Sequence, residues 1–318
     1  MRPATLEEIP VIDISSLDHG GNEELAKIAR EIGSACESTG FFYITGHGIP
    51  MNTIDSIFTY SERYFEQDID IKRKIAFNNS HRGYRAIGTI TIPGYVSDHK
   101  EVLDFGPEIA PDHPDCLAGR PLHGPNQWPD IPGFRNAMEV YYEAVKSVGF
   151  RLLKPIAMSL DLEESFFLPF HRDPFATWRI MRYPPDRNQS GQFGTAPHTD
   201  FGTITLLMQD SSGGLQVYMG NDTWIEAPWI EGSLVVNIGD FLSFWTNDRF
   251  QSTAHRVING TERYRYSIPL FYNPSFDTVA SCLPTCHGPG NPPRYEPISY
   301  GEYVARIYSK IFSRESDS

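Results

Sequence analysis

Residues 198–208 read His198-Thr199-Asp200-Phe201-Gly202-Thr203-Ile204-Thr205-Leu206-Leu207-Met208, and whether this stretch is sheet or helix decides the architecture around it. The run from Thr203 to Met208 is aliphatic and β-branched, bounded by Gly202 and by the turn Asp210-Ser211-Ser212-Gly213, and too short for a free-standing helix. It reads as a strand. The same texture extends to both sides: Trp178 to Tyr183, Gly214 to Tyr218, Leu234 to Ile238, Phe241 to Trp245, Ala254 to Ile258 and Arg265 to Tyr272 are short β-type runs separated by Gly, Asn and Asp turns. Such spacing predicts a sandwich or barrel.

Upstream the pattern is mixed. Pro10 to Ile14 and Gly40 to Ile44 alternate as strands do, and between them Leu25, Ile28, Ala29, Ile32 and Cys36 share one helical face behind Asn22 as a cap. Met138, Tyr141, Val145, Val148 and Leu152 mark a long helix, within about Phe134 to Leu160, suited to bracing a sheet. A Pro- and Gly-rich loop, Cys282 to Pro297, leads to a last helix near Tyr300 to Phe312. No linker separates the halves, so a single domain is expected over 1–318: a helical and mixed part to residue 175 packed on main β strands at 176–275, then a C-terminal helix at 298–313.

The net charge of −13, from 40 acidic and 27 basic residues, repels phosphate backbones and anionic membranes, so neither nucleic acid nor membrane is an expected partner. No apolar stretch is long enough for a signal peptide or a span, and a cytoplasmic protein is expected, monomeric or weakly self-associating. The four cysteines are too sparse for a disulfide framework. Cys282, Cys286 and His287 make at most half of a zinc site, with no second pair at suitable spacing.

A His and an Asp two positions apart on a strand point to one face and can reach one metal ion. That spacing occurs three times. His113-Pro114-Asp115 lies among prolines, and His171-Arg172-Asp173 runs into Pro174, so both read as surface connections. Only His198-Thr199-Asp200 adjoins a β run. A third ligand is available in His255, on the strand Ala254 to Ile258, although a lone histidine is more often a core residue. Two histidines and a carboxylate on one face leave the opposite coordination positions open, the arrangement of iron(II) sites that activate oxygen, whereas zinc more often takes three ligands and one water.

Ten positions beyond His255, Arg265 and Ser267 fall on one face of an apolar strand with Tyr266 opposite. A guanidinium and a hydroxyl together match a carboxylate, and a buried arginine without an anion would be costly. The similar Arg314-Glu315-Ser316 sits in a charged tail and is read as solvated.

In order, His198-Thr199-Asp200, His255 and Arg265-Tyr266-Ser267 resemble the signature of the 2-oxoglutarate and iron(II)-dependent dioxygenases, specifically the isopenicillin N synthase-like family. The resemblance also takes in Ile9 to Asp13, Gly40 to Tyr43, His47-Gly48-Ile49, Arg82-Gly83-Tyr84, Tyr183-Pro184-Pro185, Gly213 to Val217, Asn237 to Asp240 and Ser252 to Val257. It implies a double-stranded β-helix, a mainly β jelly-roll core with flanking helices. It also implies Fe(II), 2-oxoglutarate and O2 as cofactor and co-substrates, and oxidation of a C–H bond in a small metabolite, by default hydroxylation. By the same resemblance Tyr183 joins Arg265 and Ser267 on the distal carboxylate. Plant members usually have Asn where this chain has Met181, and Arg179, on the same strand face, is a candidate replacement. The substrate pocket is expected near Arg82, Tyr84, Leu206 and Phe271, each of which could equally be packing. Three alternatives stay open at this level: an oxidase without 2-oxoglutarate, a small-acid sensor and a zinc hydrolase.

Overall fold

The computed structural model describes residues 2–5, 8–92, 94–186, 192–260 and 262–315, with side chains as far as Ser309, so the tail Arg314-Glu315-Ser316 lies outside the described side chains. Two sheets face each other. The larger has eight strands in the order Val11–Asp13, Phe41–Thr45, Leu234–Ile238, Ile204–Gln209, Arg265–Tyr272, Thr177–Tyr183, Glu101–Phe105 and Gly83–Arg85. The smaller has five, Arg2–Pro3, Trp224–Glu226, Leu215–Tyr218, His255–Ile258 and Phe193–His198. The alternating runs predicted a sandwich or barrel, and this pair of sheets is the jelly-roll core that the family resemblance implied.

Strand alternation divides the apolar residues between two cores. Phe41, Tyr43, Met181, Tyr183, Leu207 and Val235 point inward and meet Leu215, Val217 and Val257 of the smaller sheet. Phe42, Ile44, Ile180, Leu206, Met208 and Ile268 point outward to the helices. The helix Phe134–Ser159 lies across that outer face, flanked by Asn22–Ser38 and Met51–Phe65. Its Gly149 permits close approach: a β-carbon there would stand 2.8 Å from the buried ring of Tyr272.

Phe241 to Trp245, expected as a strand, is instead part of a helical turn, Asp240–Trp245. Its buried residues Phe241, Leu242 and Trp245 fall at i, i+1 and i+4, one helical face, which the periodicity of so short an apolar run does not separate from a strand. Gly83–Arg85, Glu101–Phe105, Phe193–His198 and Trp224–Glu226 are strands that the sequence pattern did not mark. His171, expected at the surface, is buried with its ring stacked on Tyr272. His113 is exposed as expected.

Candidate metal centre

His198 ends the strand Phe193–His198 and His255 begins its antiparallel neighbour, and the two are direct cross-strand partners. Sequence reasoning had His198 leading into the strand at 203–208. The strand that carries it, Phe-Gly-Thr-Ala-Pro-His, contains Gly and Pro and so gives little β signal. Asp200 lies beyond the strand end, in the turn that crosses to the larger sheet. Alternation along one strand is therefore not what joins His198 and Asp200; the turn folds the carboxylate back.

One ligand atom from each of His198, Asp200 and His255 lies within 4.8 Å of the others. Both Nε2 atoms are 3.8 Å from Asp200 Oδ1. Each imidazole has its Nδ1 against a carbonyl, His198 on Ala196 at 2.9 Å and His255 on Thr253 at 3.2 Å. Donation there puts the proton on Nδ1 and leaves the Nε2 lone pairs for a cation. The other oxygen of Asp200 accepts from Thr205 Oγ1 at 2.6 Å and Asn237 Nδ2 at 2.8 Å. Those bonds turn Oδ1 toward the histidines.

Burial, and then the neighbouring His255, hold the His198 pKa well below that of an ordinary imidazole, which keeps it neutral and able to ligate. Burial by itself would raise the Asp200 pKa. The two imidazoles and the donors from Asn237 and Thr205 outweigh it, and the group stays an anion. Two neutral nitrogens and one carboxylate oxygen form a donor set suited to a divalent first-row metal with open positions, so the residues fit iron(II).

A clamp behind the triad was not read from the sequence. Asp240 accepts from Thr199 Oγ1, between the first two candidate ligands, at 3.0 Å, and from Ser252 Oγ, three residues before His255, at 2.6 Å. Its own N–H donates to Asp200 O at 2.7 Å. Gly239 permits this, because a side chain there would strike the backbone of Gly202 and Asp200. Asn237, Gly239 and Asp240 lie in a stretch already singled out above, but nothing in their spacing tells which atom each one holds.

The triad opens on a cavity of about 520 Å³, counting its mouth, between the sheets. Arg265, Ser267, Tyr183 and Arg179 all line it. Arg265 and Tyr183 are cross-strand partners, with the guanidinium carbon 4.9 Å from the ring centroid. Arg265 is 2% exposed; its Nε donates to Gly213 O at 2.7 Å and Nη2 to Gln209 Oε1 at 2.9 Å, while Nη1 is buried with no acceptor among the described residues. A buried cationic donor without a partner, in a cavity, fits a ligand carboxylate. The sequence also missed Lys100 and Thr195 on this wall: Lys100 Nζ is 2.8 Å from Thr195 Oγ1 and 3.0 Å from Asp98, and Thr195 Oγ1 is 3.1 Å from the Tyr183 hydroxyl.

Phe271 lines this cavity, but Arg82, Tyr84 and Leu206 do not. Leu206 faces the helices, and its neighbour Leu207 takes the cavity side by alternation. Arg82 gives its two terminal nitrogens to the carbonyls of Ser80, His81 and Leu122, away from this cavity. The Tyr84 hydroxyl donates to Glu101 at 2.6 Å, beside Lys72 and Arg182, on the far side of the sheet.

Residues 9–131 match the family described as non-haem dioxygenase in morphine synthesis N-terminal, and residues 165–274 match the 2OG-Fe(II) oxygenase superfamily. A 2-oxoglutarate-Fe(II) type oxidoreductase of Emericella nidulans is 37% identical over 316 residues, covering 96% of this chain and 90% of its own. A homoarginine-6-hydroxylase of Glycine max is 33% identical, covering 93% and 95%. Among solved structures, a full-length Neurospora crassa protein in complex with alpha-KG superposes with a TM-score of 0.85 at 29% identity, covering 95% of this chain and 96% of that one.

Proposed function

Since the chain belongs to the 2OG-Fe(II) oxygenase superfamily, we propose that His198, Asp200 and His255 hold its iron, and that Arg265, Ser267 and Tyr183 hold the distal carboxylate of 2-oxoglutarate. The enzyme is a 2-oxoglutarate- and Fe(II)-dependent dioxygenase acting on a small molecule. Bound iron supplies the oxidising centre at which O2 and 2-oxoglutarate become succinate and carbon dioxide while a substrate C–H becomes C–OH.

The protein's own contribution is positioning and exclusion of water. The observation that carries the reading is Arg265 Nη1, without an acceptor among the described residues, on the wall of the same cavity that the His-Asp-His triad lines. Arg265 is held by Gly213 and Gln209, so its third nitrogen is already aimed before the ligand arrives. Lys100, Thr195 and Tyr183 form a polar wall beside it, and Phe41, Leu207, Leu215 and Val257 keep the rest apolar. Thr205, Asn237 and Asp240 hold Asp200 and its turn still.

Adding Fe(II) and then 2-oxoglutarate under argon tests this. A weak visible charge-transfer band is expected only when both are present, and His255→Ala should abolish it. On admitting O2, succinate should form in step with product. A band that survives His255→Ala, or turnover without succinate, would overturn the assignment.

A further inference from the structure

A second cavity, about 680 Å³ counting its open side, adjoins the triad, and His198, Asp200, Arg179 and Phe271 line both spaces. Its other walls are mostly aromatic and aliphatic, with Phe175, Phe201, Tyr300 and Val304 prominent, and the C-terminal helix Tyr300–Glu315 supplies one side. Most of its polar side chains are engaged elsewhere. Asn273 Nδ2 donates to Phe175 O and Phe271 O while its Oδ1 receives Thr203 N, and the Thr199 hydroxyl is given to Asp240.

Arg179 is different. Among the described residues its ion pair is with Asp104, at 2.9 Å, and that carboxylate also serves Arg85 at 3.3 Å. The Arg179 Nε is buried with no acceptor among the described residues, 27% of the side chain is accessible, and the guanidinium carbon lies 5.3 Å from the Phe271 ring centroid. Among the described residues Asp200 is the only acidic side chain on the cavity wall, and it belongs to the metal triad. A guanidinium that shares its counter-ion and still presents part of its surface to the cavity is matched best by a second carboxylate, because a charged acceptor gains more from it than a neutral carbonyl does.

We propose that the substrate is a small ring-bearing carboxylic acid whose carboxylate engages Arg179 and whose ring packs against Phe271, Phe175 and Tyr300, presenting a C–H to the open face of the triad. This deepens the oxygenase reading and rests on it, and it assigns Arg179 to the substrate rather than to 2-oxoglutarate. The aromatic wall provides area for a flat body, and Arg179 at the junction of the two cavities sets which end of that body faces the metal.

The test is calorimetry under argon on the full chain loaded with Mn(II) and 2-oxoglutarate, titrated with benzoate, phenylacetate and indole-3-acetate and with their primary amides. At least one acid should bind about tenfold or more tightly than its amide, the scale of one charge-assisted hydrogen bond. Arg179→Met should bring that acid down to the level of its amide while changing 2-oxoglutarate affinity less than about twofold, and Arg179→Lys should recover part of the preference. Amides binding as well as acids, no binding by any acid, or Arg179→Met weakening 2-oxoglutarate instead would overturn it. The acid-against-amide comparison on the unaltered protein stands even if a variant fails to fold. Failure of the unaltered protein to take up 2-oxoglutarate would sink the oxygenase reading itself, a separate outcome.

Discussion

Replacing Arg265 by Met keeps a long unbranched stem and removes the guanidinium. Of its five N–H groups one is given to Gly213 O and one to Gln209 Oε1, and the pair on the buried Nη1 has no acceptor among the described residues. The loss to 2-oxoglutarate is at least one charge-assisted hydrogen bond, which costs on the order of 1.5–3 kcal/mol, or roughly 10- to 150-fold in Kd. Folding stability should fall as well, by about 1–3 kcal/mol, since two acceptors lose their donor in a buried site. Tyr183→Phe removes a neutral hydroxyl and should weaken 2-oxoglutarate less, by about 0.5–1.5 kcal/mol. The assay is anaerobic calorimetry of 2-oxoglutarate binding to the Mn(II) form, with metal affinity measured separately and expected to hold. A change of less than about threefold for Arg265→Met, or a larger loss for Tyr183→Phe, would refute the reasoning.

Asn237→Leu removes the 2.8 Å bond to Asp200 and should weaken Fe(II) or Mn(II) binding about 10- to 100-fold, read by metal titration; unchanged affinity would mean that Thr205 alone orients the carboxylate. His171 has its pKa lowered to about 4 by burial, against an ordinary value of 6.5. The folded state resists a proton that the unfolded chain accepts, so this contribution is undiminished above about pH 6.5 and is lost as pH falls toward 4, by about 3 kcal/mol in total. His171→Phe, which preserves the stack on Tyr272, should flatten that acid limb in denaturation curves collected between pH 8 and 4; an unaltered pH slope would show that His171 does not cause it. Gly149→Ala would set a methyl 2.8 Å from the Tyr272 ring, and overpacking of about 1–3 kcal/mol should exceed the helix-propensity gain of about 1 kcal/mol. A stabilised variant in urea denaturation would contradict that.

The β core was legible because its strands alternate. Leu234–Ile238 and Arg265–Tyr272 came out with the expected bounds, and Arg265 and Ser267 share a face with Tyr266 turned to the helices. The helix Phe134–Ser159 declared itself through its spacing in the same way. Local pattern failed where local chemistry was ambiguous. Phe241 to Trp245 fits either period, and Phe193–His198 hides a strand behind Gly and Pro.

The sequence by itself determined which residue types are available for a metal and for a diacid, and that Arg265 and Ser267 share one face of their strand, because covalent order and a two-residue period settle that much. Only the tertiary structure decided that His198 and His255 pair across two strands, that Thr205 and Asn237 grip one oxygen of Asp200, and that Arg179 stands where two cavities meet. Those relations join residues far apart in the chain through sheet register and loop closure. Many long-range contacts fix these at once, and no single stretch of sequence encodes them.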